Sequence, residues 1–546
     1  MLKRNILFFA FVCILISVTP VAANDPRLQN IDDEFNDDSD FSSEMEKDFA
    51  EFYGEHTAAF SEFKDERDRD FAEFLREQWL DFQEFGGLIR DDVPKPKTIP
   101  KASKAPKDNE LIPSGKKVTP KPVAPKQVVV IKPPPAKPEP KPPVKTKPKK
   151  PPTPKPEVVI QPEPTPEPTP EPTPVYTPPT PDLILPFYGQ ELKLDYDKKL
   201  VKSLHKNINN RVISSYWKEI SRADFKSFID QLLWYRNELK LNDWGYYQLI
   251  HAFATNVCSD RNEDTLLTWF LLTKSGFRAR VGYSDEKIIL LIPSQNTIYK
   301  IPFYKLGDEK FYNFSFMRDQ KKPGSIKTYQ REYPGAELKV DFDLYATPTV
   351  MSDTKTQGLT FKYKNQNYEI PASYNRNLVR YFQDYPSTDM RVFFSAAVSP
   401  EVEESLIRGL SPIIKGKTET EAVNILLRFV QTAFDYKTDG DQFGQEKYMF
   451  AAETLHFPFS DCEDRAILFG YLVKKLINLD VVGLIYPGHA ATAVRFSTPV
   501  KGDQVEVNNE TYLVCDPTYI NANIGTAMPQ FKNVKPEIVR IGFNQR

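Results

Sequence analysis

The sequence predicts a mixed α+β fold, and two observations lead to this prediction. Apolar residues recur with helical spacing directly after Cys462, and the strand-like runs 481–486 and 512–515 follow this helix. A similar succession of an apolar helix and a strand-like run occurs earlier in the chain, over residues 263–283. Helices and short strands that follow one another in this way are typical of α+β domains.

Residues 1–23 have the pattern of a secretory signal peptide. Two basic residues precede an apolar run at 6–18, and small residues follow at 21–23. The alternative is an uncleaved anchor, although the run is only about 20 Å long as a helix, whereas a bilayer core is roughly 30 Å thick. No later stretch is long and apolar enough to span a membrane. We therefore expect a bacterial exported protein, periplasmic or extracellular, with no membrane span after signal removal.

Net charge and cysteine content narrow the functional class. The formal net charge is −2, which gives no indication of a nucleic-acid partner. Three cysteines remain after the leader, Cys258, Cys462 and Cys515, and three cannot all pair within one chain. A free thiol in an exported protein indicates a reactive group. Cys258 and Cys515 are interpreted as buried apolar side chains.

An acidic segment at 30–90 carries a repeat of eleven residues. The motif Phe-x-x-Phe occurs at 49–52, 60–63, 71–74 and 82–85. Three helical turns of about 3.67 residues make eleven, so both Phe columns stay on one face of a helix. Because such a helix cannot bury its aromatic stripe alone, we expect a coiled-coil-like segment that self-associates or binds an envelope partner through residues 49–85. The alternative is an acidic tail without fixed structure.

Residues 94–182 are predicted to form a Pro-rich disordered linker. Of the 48 prolines in the chain, 30 lie between Pro94 and Pro181. This composition favours polyproline II over a packed core. We expect a semi-rigid spacer between the acidic helix and the globular part.

Residues 184–335 are interpreted as a degenerate copy of the C-terminal domain at 401–546. Glu263-Asp264 matches Glu463-Asp464, and an apolar helix follows each pair. In this alignment, the three positions that correspond to the candidate residues described below hold Asn262 for Cys462, Glu286 for His489 and Ser315 for Asp516. We expect the copy to be inactive. Between the two copies, alternating apolar and polar residues predict a small β module at 336–400, with strands at 338–344, 359–363 and 391–394.

Three residues indicate nucleophilic catalysis. Cys462 is predicted at the start of a helix, where unpaired N–H groups and the helix dipole favour a thiolate, although the neighbouring acids oppose this. His489 follows a Pro-Gly turn at the start of a strand-like run, and Asp516 ends another strand. A cysteine, a histidine and an acid in this order supply a nucleophile, a base and an orienting group. His456 is the second candidate for the base.

At these residues the chain resembles the transglutaminase-like superfamily, the papain-like branch of cysteine acyl-transfer enzymes. The resemblance covers about 417–523 and rests on the run 461–469, the Pro-Gly-His turn at 487–489 and the Asp-Pro-Thr strand end at 516–518. It implies a transglutaminase-like catalytic domain at 401–546, in which Cys462, His489 and Asp516 are the catalytic residues.

An oxyanion hole is expected from the Cys462 backbone N–H and one upstream side chain, for which the candidates are Gln445, Gln442 and Tyr436. No metal and no other cofactor is expected, because the wide spacing of the cysteine, histidine and acid and the lack of a fourth ligand do not match a zinc site.

The sequence therefore predicts an exported cysteine protease or amidase that acts on a peptide or protein substrate. Hydrolysis through a Cys462 thioester is the expected reaction, with protein cross-linking as the alternative outcome of the same intermediate. The alternative function is a non-catalytic envelope scaffold or binding protein that uses a transglutaminase-like fold.

Overall fold

The computed structural model describes residues 66–90, 93–103, 115–120, 180–204, 207–285, 287–320 and 324–542. Within these residues, the chain from Asp68 onward belongs to one compact unit. Its fold is mixed α+β. The predicted signal peptide, the Phe motifs at 49–52 and 60–63 and most of the Pro-rich stretch lie outside the described residues. Among the described helices, none is both long enough and apolar enough to cross a membrane.

Of the described helices, one precedes the Pro-rich stretch, four lie between residues 210 and 274, and eight lie between residues 316 and 477. They are α1 (residues 66–77), α2 (Asn210–Ile220), α3 (Phe225–Glu238), α4 (Asp243–Val257), α5 (Arg261–Lys274), α6 (Phe316–Asp319), α7 (Arg376–Gln383), α8 (Met390–Phe394), α9 (Pro400–Ile414), α10 (Glu419–Thr432), α11 (Asp439–Phe443), α12 (Ala451–His456) and α13 (Cys462–Ile477). Two single-turn 3₁₀ helices occupy Lys198–Leu200 and Pro529–Phe531.

The strands are short, as is usual in globular domains. They are β1 (Leu80–Phe85), β2 (Leu183–Phe187), β3 (Gln190–Leu194), β4 (Arg280–Ser284), β5 (Lys287–Pro293), β6 (Phe303–Leu306), β7 (Glu309–Asn313), β8 (Ser325–Thr328), β9 (Thr354–Tyr363), β10 (Gln366–Asn375), β11 (Asp435–Tyr436), β12 (Phe459–Ser460), β13 (Asp480–Tyr486), β14 (His489–Arg495), β15 (Gln504–Val507), β16 (Glu510–Cys515) and β17 (Glu537–Arg540).

The two largest sheets share one strand order. The C-terminal sheet runs β15-β16-β14-β13-β17, and the N-terminal barrel contains β6-β7-β5-β4-β8. In each case a helix, α13 or α5, precedes an antiparallel hairpin. The next hairpin in the chain pairs with the second strand of this hairpin, and the last strand pairs with its first strand. This correspondence is what an internal duplication would produce.

The strand registers align the two sheets residue by residue. Both first hairpins have two-residue loops, with Ser284 paired to Lys287 and Tyr486 paired to His489. Lys287 therefore takes the place of His489, one residue later than the predicted Glu286. The pairs that join β5 to β7 and β14 to β16 extend this alignment to the next strand. Ser315 then occupies the position that is equivalent to Asp516. The N-terminal barrel thus has no imidazole and no carboxylate at these two positions.

The third and fourth Phe motifs belong to the globular unit, and the predicted continuous helix through residue 85 is wrong. Helix α1 stops at residue 77, and β1 closes the barrel by pairing with β6 and β8. Phe71 is buried against Trp217 and Tyr333, with ring centroids 4.8 and 5.2 Å apart. Phe85 stacks on Phe303 at 5.4 Å. Phe71 is therefore buried within one chain, whereas Phe85 stays 43% exposed beside its ring partner.

The beginning of the Pro-rich stretch is also part of the globular unit, contrary to the prediction of a free spacer. Residues 93–103 lie along the C-terminal domain, and Lys117 forms an isolated antiparallel bridge with Thr418. The Val118 N–H donates to the Lys417 carbonyl at 3.0 Å. Backbone groups of this segment are satisfied by the domain surface and not by water alone.

The predicted β module at 336–400 is one long hairpin with two helices. Strands β9 and β10 pair over ten residues each and contain the predicted strand at 359–363. Residues 338–344 form only isolated bridges, at Leu338 and Val340. The predicted strand at 391–394 is wrong, because this segment lies in α8, whose apolar residues are buried beside α13.

Candidate active site

Cys462 is the first residue of α13 and is fully buried. The turn that begins the helix is closed by Asp464 Oδ2, which accepts from the Asp461 N–H at 3.1 Å. Residues 462–473 are buried on every face, so the helix runs through the core. The core position of α13 fixes the location of the cysteine.

The Cys462 thiol donates to Glu463 Oε2 at 2.9 Å. Burial and the Glu463 carboxylate raise the pKa of this thiol well above its ordinary value, and the ammonium of Lys95 opposes them only in part. Of the two opposing effects that the sequence indicated, the neighbouring acids outweigh the helix start in this structure. Its local charges hold the sulfur as a thiol.

His489 and Asp516 form a buried pair. His489 begins β14, Asp516 directly follows β16, and Nε2 of the imidazole lies 2.8 Å from Asp516 Oδ2. The other carboxylate oxygen accepts from the N–H groups of Thr518 and Tyr519 at 2.9 and 3.0 Å. The imidazole also stacks on Phe531, with centroids 5.0 Å apart. Since Nε2 is engaged by the acid, Nδ1 is the nitrogen left to act on a nucleophile.

The chain path brings Cys462 and the pair to one end of the sheet. Helix α13 packs on β13 and β14, and a two-residue connection sends β13 back along the helix. The end of β13 and the start of β14 therefore lie beside the helix start. Beside the N-terminal barrel, a similar path from α5 into β4 and β5 brings Asn262 Oδ1 to 2.8 Å from the Ile288 N–H, which donates to it. Among the described residues, no hydrogen bond joins the Cys462 thiol to the imidazole.

A cationic residue that the sequence prediction missed lies beside the cysteine. The buried ammonium of Lys95 is 2.7 Å from Asp461 Oδ2, 2.8 Å from Glu463 Oε2 and 3.5 Å from Asp439 Oδ2, and it also contacts Glu446. Although burial alone lowers the pKa of the Lys95 amine, Glu463 and Asp461 raise it above its ordinary value. The dense acids around Cys462 were the only sequence signal that a cation must lie nearby.

The acidic pocket, formed by Asp439, Glu446, Asp461 and Glu463, is mostly buried. Burial and neighbouring acids raise the pKa of Asp439 to about 10 and that of Glu463 to about 8. The carboxylate oxygens of Asp439, Glu446 and Asp461 lie within 4.8 Å of one another, a spacing that could hold a metal ion. The Lys95 ammonium lies among them and already supplies positive charge.

Residues 93–103, named here the covering segment, cross the site. Near its start, the carbonyls of Val93 and Pro94 approach Gly488, the residue before His489. Farther along, the Tyr436 hydroxyl donates to the Pro96 carbonyl at 2.7 Å. At its far end, the Ile520 N–H donates to Pro100 at 2.9 Å and the Ile520 carbonyl accepts from Ala102 at 2.8 Å. The segment therefore passes along the residues that flank all three candidate catalytic positions.

The predicted oxyanion donors differ in position. Strand β11 pairs with β12, which leads into Cys462, so Tyr436 lies beside the cysteine segment. Gln442 lies on α11, and its Nε2 is buried without a hydrogen-bond partner among the described residues. Gln445 is exposed in the following loop. His456, the second candidate base, packs against the rings of Tyr374 and Phe457.

A buried arginine connects the segments that carry the candidate catalytic residues. The guanidinium of Arg465 donates to the carbonyls of Gln431 and Phe434 and to the Ser460 hydroxyl, at 2.8–3.2 Å. The Gln431 amide in turn donates to the Asp516 carbonyl at 3.0 Å. This chain of hydrogen bonds links the helix that carries the cysteine to the turn that carries the acid.

Comparison with known proteins found no matching family model, no similar curated protein and no similar solved structure.

Proposed function

We propose that this chain is an exported cysteine-dependent acyl-transfer enzyme of the transglutaminase-like type, with peptide or amide hydrolysis as its reaction. The observation that carries the proposal is the buried His489–Asp516 pair at the end of the sheet where α13 begins with Cys462. An imidazole held by a carboxylate, beside a cysteine at a helix start, is the arrangement needed to activate a thiol.

In this mechanism His489 takes the thiol proton of Cys462, and the sulfur attacks the carbonyl carbon of an amide. Collapse of the tetrahedral intermediate breaks the C–N bond, and the imidazolium gives its proton to the leaving amine. Water, deprotonated by the same imidazole, then attacks the thioester and releases the acid and the thiol. An amine in place of water would give a cross-link. The Cys462 N–H and the Tyr436 hydroxyl are suited to bind the oxyanion.

Asp516 has an orienting role in this proposal. Its carboxylate holds one ring nitrogen of His489 and stabilises the imidazolium that forms during the reaction. The first copy, with Asn262, Lys287 and Ser315 at the corresponding positions, supplies no such group and serves as a structural partner.

A non-catalytic binding protein is the second candidate function. Cys462 is held as a thiol by Glu463, and the covering segment lies over the site. Both observations describe a closed arrangement. For the enzyme to act, the covering segment must move away.

The test is hydrolysis of a peptide library by the full exported chain and by its Lys95→Ala variant, followed by mass spectrometry of the products. We expect cleavage that Cys462→Ala and His489→Ala abolish, with an acyl adduct on Cys462 in rapidly quenched samples. Cys258→Ser, which alters a half-buried thiol in the other copy, is the matched control and should retain activity. Absence of cleavage by both the wild type and Lys95→Ala would favour the binding protein.

A further inference from the structure

The covering segment is anchored by a single side chain. Among residues 93–103, only Lys95 is buried, and the other ten are exposed or half-buried. The remaining contacts are mainly backbone hydrogen bonds, at Pro96, Pro100 and Ala102. Backbone hydrogen bonds of this kind can be made by any extended peptide, so the side chain of Lys95 supplies the residue-specific part of the interaction.

The acidic pocket is built for a positive charge. Four carboxyl groups face one ammonium, and Asp461, which is fully buried, has an Oδ1 atom without a hydrogen-bond partner among the described residues. Buried carboxylates without a cation are costly, and the pocket holds more acid than one cation neutralises. A cation in the pocket therefore stabilises those of its acids that are ionised.

The geometry suits an ammonium better than a guanidinium. The carboxylates come from α11, the loop after it and the start of α13, and they converge on one nitrogen atom. An ammonium is a compact charge with three donors, whereas a guanidinium is planar and prefers two parallel bonds to one carboxylate. The pocket also adjoins the nucleophile, because the thiol of Cys462 and the ammonium of Lys95 contact the same Glu463 oxygen.

We propose that the acidic pocket is a specificity site for a lysine side chain carried by an extended peptide, and that Lys95 is its resident occupant. The pocket selects peptides with lysine next to the bond that reacts; this substrate role rests on the proposed function, whereas the binding itself does not. The ammonium is held by carboxylates as a charged group, so it is recognised and does not attack. Substrate and the covering segment compete for one pocket.

The first experiment empties the pocket in the full chain. Lys95→Ala keeps only Cβ of the side chain, and n-propylammonium supplies the three missing carbons and the nitrogen. We expect n-propylammonium to raise the Tm of Lys95→Ala saturably, with no such rise for the wild type or for Lys97→Ala, whose lysine is exposed. Tetramethylammonium at equal ionic strength should have no effect, because it cannot donate hydrogen bonds. Should Lys95→Ala fail to fold, Lys95→Met fills the four stem positions and lacks only the nitrogen, and the same measurement with the ammonium ion applies.

Two outcomes would overturn the proposal. One is a Tm that does not respond to n-propylammonium in Lys95→Ala or to the ammonium ion in Lys95→Met. The other is stabilisation by Mg²⁺ or Ca²⁺ without a response to the amines, which would identify a metal site.

The second experiment tests recognition of lysine in a peptide. A labelled peptide of residues 93–103 is titrated into Lys95→Ala and compared with peptides that carry norleucine or arginine at the Lys95 position. We expect the lysine peptide to bind at least about tenfold tighter than either, as loss of a buried ion pair commonly costs more than that. Equal affinities for the three peptides would contradict the proposal.

The Cys462→Ala change separates this proposal from the proposed function. Added to Lys95→Ala, it should leave peptide affinity unchanged and abolish any cleavage. Tight lysine-specific binding without cleavage in the presence of Cys462 would leave the pocket established and the enzyme rejected. Cleavage without lysine preference would establish the enzyme and reject the pocket as a lysine site.

Discussion

At the scale of single residues, the site is governed by buried charges. Cys462, Lys95 and Glu463 share one hydrogen-bonded cluster, and burial raises the pKa of each acid in it that shows a shift. Such groups bind protons more tightly in the folded chain than in the unfolded chain, so they make stability depend on pH.

Asp439→Asn should weaken the pH dependence of stability. The pKa of Asp439 is raised to about 10, from an unfolded value near 3.8. Below the unfolded value the carboxyl is protonated in both states. Between the two values the unfolded chain ionises while the folded chain does not, so stability falls as pH rises. We expect the Tm of the wild type to fall from pH 5 to pH 8 and that of Asp439→Asn to fall less. Parallel curves would contradict this assignment.

Asp516→Asn should reduce activity while the turn stays intact. Asparagine keeps one oxygen for the Thr518 and Tyr519 N–H groups but no longer stabilises an imidazolium. By analogy with other catalytic triads, we expect kcat/KM to drop by about 10²–10⁴-fold. The Tm should change by only a few degrees. The measurement is peptide hydrolysis alongside thermal unfolding, and unchanged kcat/KM would remove Asp516 from the mechanism.

At the scale of elements, the covering segment and the β13–β14 turn depend on each other. Gly488 has φ of +67°, and a methyl group added to it would lie 2.9 Å from the Val93 carbonyl and 3.1 Å from that of Pro94. The turn therefore has two reasons to hold glycine, its own backbone conformation and the close approach of the covering segment.

Gly488→Ala should loosen the covering segment. The strained turn costs about 1 kcal/mol or more, and the added methyl group pushes Val93 away. We expect faster tryptic cleavage after Lys97 and Lys101, measured by mass spectrometry of native digests. Gly440→Ala, in an open position of α11, is the matched control. Equal cleavage rates in the two variants would show that the segment is held independently of the turn.

At the scale of the whole molecule, the N-terminal segment completes the fold. Strand β1 closes the barrel, and Phe71 fills the core between Trp217 and Tyr333. Two described copies of the Phe motif stabilise the globular unit, and association through the earlier copies stays a prediction.

Phe71→Ala should destabilise the chain strongly. The side chain is 1% exposed, so its removal leaves a cavity among aromatic residues, for which we expect a loss of about 3–5 kcal/mol. Glu73→Ala, on the exposed face of the same helix, should change stability by less than about 0.5 kcal/mol. Denaturant unfolding measures both. A small effect at Phe71 would mean that α1 detaches from the core.

The sequence predicted those parts of the site that depend on local pattern. The helix after Cys462, the turn before His489 and the strand end at Asp516 follow from periodicity and turn residues close in the chain. Lys95 could not be predicted in this way, since its partner Asp461 lies 366 residues further on. Strand β1 was missed for the same physical reason: an eleven-residue period describes local helix geometry, whereas barrel closure is set by distant strands.

Both ends of the undescribed stretch 121–179 are attached to the same compact unit. Lys117 bridges to Thr418 on one side, and β2 pairs with β3 on the other. A single cut within that stretch would therefore leave two polypeptides that remain associated, one carrying β1 and Lys95, the other carrying Cys462 and His489. In this sense the molecule is arranged as a split protein whose two fragments would complement each other, and its candidate active site is built from residues of both.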